Sequence, residues 1–232
     1  MPARIARFVH VAGLELLGGL LVLTAGAWVF GRLAEELVEG DTGFDTRLAD
    51  WLHDRASPGW TTFFEGVTVL GNFLTLLAVT VLAVVLLLRR GRRTEAALVA
   101  LAFAGAQILT LGLKLGFARE RPFFPDPLAS APSTYSFPSG HASVSLAVYG
   151  ALGYIAARHV ASRRARVAAL AVAAALVALI GFSRLYLGVH FLTDVIAGFS
   201  LGLAWVALCV VLLNLRLRFR DRRQTSRYRA SA

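Results

Sequence analysis

The sequence predicts an all-α fold, a polytopic membrane helix bundle with about six transmembrane helices and both termini in the cytoplasm. Hydrophobic residues make up 57% of the 232 residues, charged residues only 16%, and the mean hydropathy is +0.65. Soluble domains carry about 45–50% apolar and about 25% charged residues, so this composition excludes both an ordinary soluble domain and a disordered chain. The single cysteine, Cys209, excludes a disulfide scaffold and a cysteine-based metal cluster.

Six apolar stretches predict the membrane spans, because a helix needs about 20 predominantly apolar residues to cross the hydrocarbon core. We expect spans at residues 9–30, 67–88, 96–115, 142–157, 167–182 and 191–213, the fourth and fifth extended by their flanking residues. No repeat or linker divides the chain, which predicts a single membrane domain over residues 1–232 with a basic cytoplasmic tail at 215–232. A cleaved signal peptide is the alternative for the first span, because small residues at 25–27 resemble a cleavage site.

The distribution of arginine predicts the orientation of the spans. The chain has 24 basic residues, of which Lys114 is the only lysine, and a formal net charge of +10. With the N-terminus in the cytoplasm, 17 basic residues fall in the inside segments and 7 in the outside segments. Cytoplasmic loops of membrane proteins carry an excess of Lys and Arg, so this asymmetry places both termini inside. The positive charge is thus a topology signal and does not indicate nucleic-acid binding.

The first outer loop, about residues 31–66, contains a helical pattern. Phe44, Leu48, Trp51 and Leu52 recur at helical spacing among charged residues. This pattern predicts a short amphipathic helix that lies at the membrane interface and has a structural role. The alternative is that it lines the entry to a site.

Cations follow the third span at a spacing that brings them together. Lys114 and Arg121 are seven residues apart, close to two helical turns, so on a helix they return to one side. Pro122 ends that helix. Ordinary snorkelling of long cations to the interface would also explain these two residues.

The fourth span is preceded by Pro138-Ser139-Gly140-His141. Free backbone N–H groups at a helix N-terminus favour an anion, and Ser139 can cap the helix or donate to a ligand oxygen. Taken alone, the pattern also fits a capped helix with an interfacial histidine.

Between the fifth and sixth spans, Arg184 precedes His190 and Asp194, which are four residues apart and share a helix face. A carboxylate that holds one imidazole nitrogen leaves the other free as a base or nucleophile. The same pair also suits a metal site. Three cations, a helix N-terminus, two histidines and one carboxylate together suit a tetrahedral dianion, most simply a phosphoryl group, held without a metal.

At these residues the sequence resembles the type 2 phosphatidic acid phosphatase family, the membrane branch of a superfamily related to vanadium haloperoxidases. The family has a lysine separated by six residues from Arg-Pro, then Pro-Ser-Gly-His, then Ser-Arg separated by five residues from a histidine that stands four positions before an aspartate. The resemblance covers residues 114–194 with every motif intact: Lys114 with Arg121-Pro122, Pro138-Ser139-Gly140-His141, and Ser183-Arg184 with His190 and Asp194.

The resemblance implies a role for each of these residues. His190 would attack phosphorus, Asp194 would fix its tautomer, and His141 would act as the acid and then the base. The phosphoryl oxygens would be held by five further groups: Lys114, Arg121, Ser139, Gly140 and Arg184.

The function implied is a metal-independent lipid phosphatase of a bacterial cell membrane, without a cofactor and inhibited by vanadate, whose site faces the periplasm or exterior. Candidate substrates are undecaprenyl diphosphate, phosphatidylglycerol phosphate and phosphatidic acid, and an outward site favours the first. The partners expected are the lipid substrate and membrane lipids, with no nucleic acid. A vanadate-dependent haloperoxidase and a non-enzymatic protein that binds or transports lipid headgroups are the alternatives.

Overall fold

The computed structural model describes the backbone of residues 2–40 and 42–230, and the side chains of residues 17–40 and 42–215. Within that part of the chain the regular structure is entirely helical, which confirms the predicted all-α class. The eight helices are α1 (Pro2–Glu39), α2 (Gly43–His53), α3 (Pro58–Val69), α4 (Phe73–Arg89), α5 (Arg93–Phe117), α6 (Gly140–His159), α7 (Arg163–Tyr186) and α8 (Leu192–Ala230). The side chains of the predicted basic tail, apart from Leu215, lie outside the described residues.

Four segments in the described residues are long and apolar enough to cross a membrane individually: Leu17–Glu39, Arg93–Phe117, Arg163–Tyr186 and Leu192–Leu215. The α3 and α4 helices pass the same test only as a pair bent by 42°, which makes a fifth candidate. The protein is therefore a multi-pass membrane protein. The second predicted span, at 67–88, is not one continuous helix, because residues 70–72 interrupt it.

The α6 helix is the central element of the bundle and packs against α5, α7 and α8. Ala147, Val148 and Ala151 are fully buried in the core cluster that α6 shares with α5. Because this helix is enclosed by protein, it can carry serine and glycine where a lipid-facing helix would carry large apolar side chains. Glycine also allows α8 to approach the start of α6 closely, since a Cβ at Gly198 of α8 would lie 2.6 Å from the Ser139 carbonyl oxygen.

The segment in which the sequence predicts a short amphipathic helix forms α2. Its buried face consists of Asp45, Ala49 and Leu52, and Leu52 packs in a cluster with Leu185 and Val195. The sequence did not predict α3. This helix packs on α7 through the rings of Phe64 and Tyr186, whose centroids are 4.6 Å apart. Both helices therefore lie against the end of the bundle at which α7 ends and α8 begins.

Candidate active site

The predicted site residues meet where α5 and α7 end and α6 and α8 begin. The wall of one cavity of about 190 Å³ includes six of the eight: Lys114, Arg121, Gly140, His141, Arg184 and His190. Ser139 and Asp194 have no exposed surface and lie behind this wall. The structure thus brings together residues that the sequence distributes over 80 positions.

His190 and Asp194 are in contact as expected, but they do not share a helix face, because α8 begins at Leu192 and His190 precedes it. The Nδ1 atom of His190 lies 3.2 Å from Asp194 Oδ2, which also accepts a 2.9 Å hydrogen bond from the Phe191 N–H. On the other side of the ring, Nε2 lies 3.1 Å from Arg121 Nη1. A guanidinium has donors only, so Nε2 accepts from Arg121 and Nδ1 carries the proton that is donated to Asp194. This tautomer leaves the Nε2 lone pair directed towards the cation cluster.

The electrostatic surroundings keep the His190 imidazole neutral. Burial, followed by the charges of Arg121, Arg184 and Lys114, holds the pKa of His190 well below its usual 6.5. A neutral imidazole retains its lone pair at neutral pH, which is a requirement for a nucleophile.

Two of the cations are oriented by backbone carbonyls. Arg121 donates through Nε to Thr134 O at 2.8 Å and through Nη1 to Val189 O at 2.6 Å. Lys114 Nζ donates to Tyr135 O and to Ser136 O. The segment at 118–139 therefore wraps around both side chains and holds them at the cavity.

Two buried donors of the site have no partner among the described residues, namely Arg184 Nε and Ser139 Oγ. The other end of Arg184 is anchored, since Nη1 donates to Thr68 Oγ1 at 2.6 Å. Ser139 does not cap α6 with its side chain, and its N–H donates instead to the Asp194 carbonyl oxygen at 2.9 Å. A buried donor without a partner carries a desolvation penalty of about 1–3 kcal/mol, so these two groups are suited to a ligand that accepts hydrogen bonds.

The break between α3 and α4 contributes residues that sequence reasoning missed. Asn72 Oδ1 lies 2.8 Å from His141 Nε2, and Thr68 holds Arg184 as described above. Gly71 lies so close to the second histidine that a Cβ there would be 2.8 Å from His141 Cδ2. The signal available in the sequence was the Gly71-Asn72 pair, a turn-forming dipeptide inside an otherwise apolar stretch.

A second missed pair, Arg119 and Asp45, supports the aspartate of the site. Arg119 donates through Nη1 to Asp194 Oδ1 at 2.6 Å and through Nη2 to Asp45 Oδ2 at 2.8 Å. From the sequence, Arg119 was only one of the seven basic residues assigned to the outside segments. Asp45 shares a helix face with Ala49 and Leu52, and a charge on that apolar face was the available signal.

A metal-ligand set does not accompany the His190–Asp194 pair in the described residues. No group of three or more His, Cys, Asp or Glu side chains there is arranged to hold a metal ion. The described contacts of the pair are instead with the arginines and the backbone N–H already given.

Comparisons with known proteins identify the family of the chain. The family model of the PAP2 superfamily matches residues 95–218. Phosphatidylglycerophosphatase B of Bacillus subtilis (strain 168) is 38% identical over 150 residues, which are 63% of this chain and 71% of the relative.

Two solved structures share the fold. The crystal structure of the first transmembrane PAP2 type phosphatidylglycerolphosphate phosphatase from Bacillus subtilis matches with a TM-score of 0.74 and 30% identity, over 81% of this chain and 93% of that one. Aquifex aeolicus LpxE matches with a TM-score of 0.59 and 23% identity, over 73% and 96% of the two chains. Because the family model covers more than half of the sequence, the chain belongs to the PAP2 superfamily, and it is a phosphatase, a hydrolase of phosphoric esters.

Proposed function

We propose that the protein hydrolyses a lipid phosphomonoester or diphosphate through a phosphohistidine at His190, in a site that faces the periplasm or the exterior. Lipid phosphatase activity of the PAP2 type follows from the family and from the relatives. The observation that carries the phosphohistidine proposal is the His190 imidazole, held by Asp194 on one side while its unprotonated Nε2 faces Arg121 and the other cations.

In the first step His190 Nε2 attacks phosphorus and the bond from phosphorus to the leaving oxygen breaks. The P–N bond that forms gives the imidazole a positive charge, which the Asp194 carboxylate stabilises through Nδ1–H. His141 donates a proton to the leaving oxygen, so the product leaves as an alcohol or, from a diphosphate, as a protonated phosphate.

In the second step water hydrolyses the phosphohistidine. His141, now neutral, takes a proton from water as the oxygen attacks phosphorus, and the P–N bond breaks. Inorganic phosphate is released, His190 recovers its lone pair, and His141 is again protonated.

The oxygens of the phosphoryl group require neutralisation during both steps. Lys114, Arg121 and Arg184 surround the cavity, and Ser139 Oγ and the Gly140 N–H add neutral donors. The planar arginine forks suit pairs of oxygens, whereas the lysine ammonium is a compact charge, so exchange between the two types is not conservative. Three cations supply the charge that a divalent metal supplies in other phosphoryl-transfer sites, and the reaction is proposed to be metal-independent.

The relatives support phosphatidylglycerol phosphate as the substrate. One curated relative and one solved structure carry the name of a phosphatase for that lipid, at 38% and 30% identity. The cavity is also lined by the apolar side chains of Phe73, Leu76 and Val144, which suit the membrane side of a lipid phosphate. The outward orientation alone favours undecaprenyl diphosphate, so that lipid is the second candidate.

The proposed topology has six spans, with α6 and the bent α3–α4 pair among them and both termini in the cytoplasm. At 20 residues, α6 is about 30 Å long, which suffices to cross the hydrocarbon core. The site residues lie at the end where α5 finishes and α6 starts, while Arg89, Arg90 and Arg158 lie near the opposite ends of their helices. The positive-inside rule then directs the site outwards.

A phosphate-release assay tests the proposal. The purified protein in detergent with EDTA is given phosphatidylglycerol phosphate, undecaprenyl diphosphate or phosphatidic acid, with His190→Ala as the matched control. We expect turnover by the wild type, fastest on phosphatidylglycerol phosphate, and none by H190A. No release from any of the three would contradict the phosphatase, and full activity of H190A would remove His190 as the nucleophile. Halide oxidation with peroxide, or lipid binding without turnover, would favour the alternatives.

A further inference from the structure

We propose that Asp45 and Arg119 are positioning residues of the reaction, and that together they set the charge which Asp194 presents to His190. This inference rests on the proposed function, because it concerns the carboxylate behind the nucleophile. It assigns a catalytic consequence to α2, for which the sequence favoured a structural role.

The contacts form a continuous chain from α2 to the nucleophile. Asp45 Oδ2 accepts from Arg119 Nη2 at 2.8 Å, and Arg119 Nη1 donates to Asp194 Oδ1 at 2.6 Å. The other oxygen of Asp194 faces His190 Nδ1 at 3.2 Å. Arg119 and His190 therefore divide the two oxygens of one carboxylate between them.

The groups of this chain are removed from solvent. The side chains of Arg119, Asp45 and Asp194 are 8%, 2% and 0% exposed. Charges in such surroundings are screened far less than surface charges, so each one affects its neighbours strongly. A surface ion pair of the same geometry would carry no such consequence.

Asp45 is held in place from a second direction. Its Oδ1 accepts from the Thr193 N–H at 3.1 Å, and its Oδ2 accepts from the Thr193 hydroxyl, at the start of α8. Arg119 lies over the ring of Phe191 at 4.3 Å from the ring centre. These contacts join α2, the segment after α5 and the start of α8, which is where Asp194 is anchored.

The charge count explains why two acids are needed. Two carboxylates and one guanidinium leave a net charge of −1, which suits the positive charge that His190 gains when it binds phosphorus. If Asp45 were neutral, Arg119 would pair with Asp194 alone. Its positive charge would then cancel the negative charge of Asp194 before the reaction began. If Arg119 were neutral, two buried carboxylates would remain, with one oxygen of Asp194 unpaired.

The test compares Asp45→Asn, Arg119→Gln and the double variant D45N/R119Q in the phosphate-release assay. We expect D45N to lower kcat by about 10–100-fold with KM within about twofold of wild type, because the loss falls on the transition state. The double variant restores the net charge of −1, so its kcat is expected to be about threefold or more above that of D45N. A purely structural role predicts that the second substitution worsens the first.

Controls separate this inference from the proposed function. Asp50→Asn changes an exposed acid on the same helix and is expected to keep wild-type kcat and KM. Asp45→Glu keeps the charge at a shifted position and is expected to give a kcat between wild type and D45N, which covers the case in which D45N does not fold. Wild-type kinetics in D45N, a kcat of D45E as low as that of D45N, a loss confined to KM, or a double variant no better than D45N would overturn the inference while an inactive H190A left the proposed function standing. An active H190A would overturn both.

Discussion

Asn72 Oδ1 lies 2.8 Å from His141 Nε2, although the two residues are 69 positions apart in the chain. The contact crosses from the break between α3 and α4 to the first turn of α6. In the proposed mechanism His141 transfers a proton in each step, so the orientation of its ring determines both rates. The break between α3 and α4 thus supplies a group that the three sequence motifs lack.

Replacement of Asn72 by leucine removes the acceptor at similar size. We expect kcat of N72L to fall by about tenfold or more, because a misdirected acid forfeits part of the roughly 10²–10⁴-fold contribution of such a group. The measurement is steady-state phosphate release, with Asn72→Asp as the matched control that retains an acceptor oxygen. Equal losses in N72L and N72D would contradict a role for the acceptor.

Gly71 provides a steric test of the same contact. A Cβ at this position would lie 2.6 Å from Ile180 Cγ2 and 2.8 Å from His141 Cδ2, so alanine displaces one of them. We expect G71A to lower kcat by at least about tenfold, as expected for a misplaced proton donor. Gly66→Ala is the matched control, because a Cβ at Gly66 meets nothing within 4 Å. The prediction is wrong if G71A and G66A have equal kcat.

The neutral state of His190 can be observed by titration. Burial and the surrounding cations hold the pKa of His190 below its usual 6.5, so the imidazole remains unprotonated as the pH falls through that value. In NMR spectra of the histidine-labelled protein, the signal that His190→Asn removes should titrate with a midpoint below pH 6.5. Arg121→Gln removes the nearest cation, so the midpoint should rise in that variant. A midpoint at or above 6.5 in the wild type would contradict this electrostatic account.

Cysteine labelling tests the direction in which the site faces. Cys209 is buried, so the native chain provides a background that reacts weakly with maleimides. Ser133 lies in the exposed segment beside the site, and Ala161 lies between α6 and α7 at the opposite end of the bundle. An impermeant maleimide should label Ser133→Cys in intact cells and Ala161→Cys only after permeabilisation. The reverse pattern would show that the site faces the cytoplasm.

The site residues were predicted from short motifs, but two of the helical expectations behind them were wrong. The α5 helix ends at Phe117, so Arg121 lies beyond the helix and Pro122 does not end it. The α8 helix begins at Leu192, so His190 precedes the helix that carries Asp194. Lys114 and Arg121 are held by one local segment, and His190 reaches Asp194 four residues along the chain. The apolar composition likewise predicted a helical membrane protein. These signals are local or compositional, so they can be interpreted without knowledge of the tertiary contacts.

The supporting residues could not be predicted because their roles exist only through packing. Asp45 reaches Arg119 across 74 positions, and nothing in the amphipathic pattern of α2 indicates which element covers it. The break at residues 70–72 lies within an apolar stretch long enough for a continuous span, so hydropathy did not resolve it. Glycine beside asparagine indicated a turn there, but only the structure places that turn against His141.

The most direct test of the central claim is capture of the intermediate. The wild-type protein is mixed with a radiolabelled lipid phosphate, quenched in alkali within the first turnovers, and digested, and the labelled peptide is located by mass spectrometry. The alkaline quench preserves a phosphohistidine, because its P–N bond withstands alkali better than acid. The account predicts one phosphoryl group on the peptide that contains His190, and none in H190A. Label on a different residue, or label that remains in H190A, would contradict it.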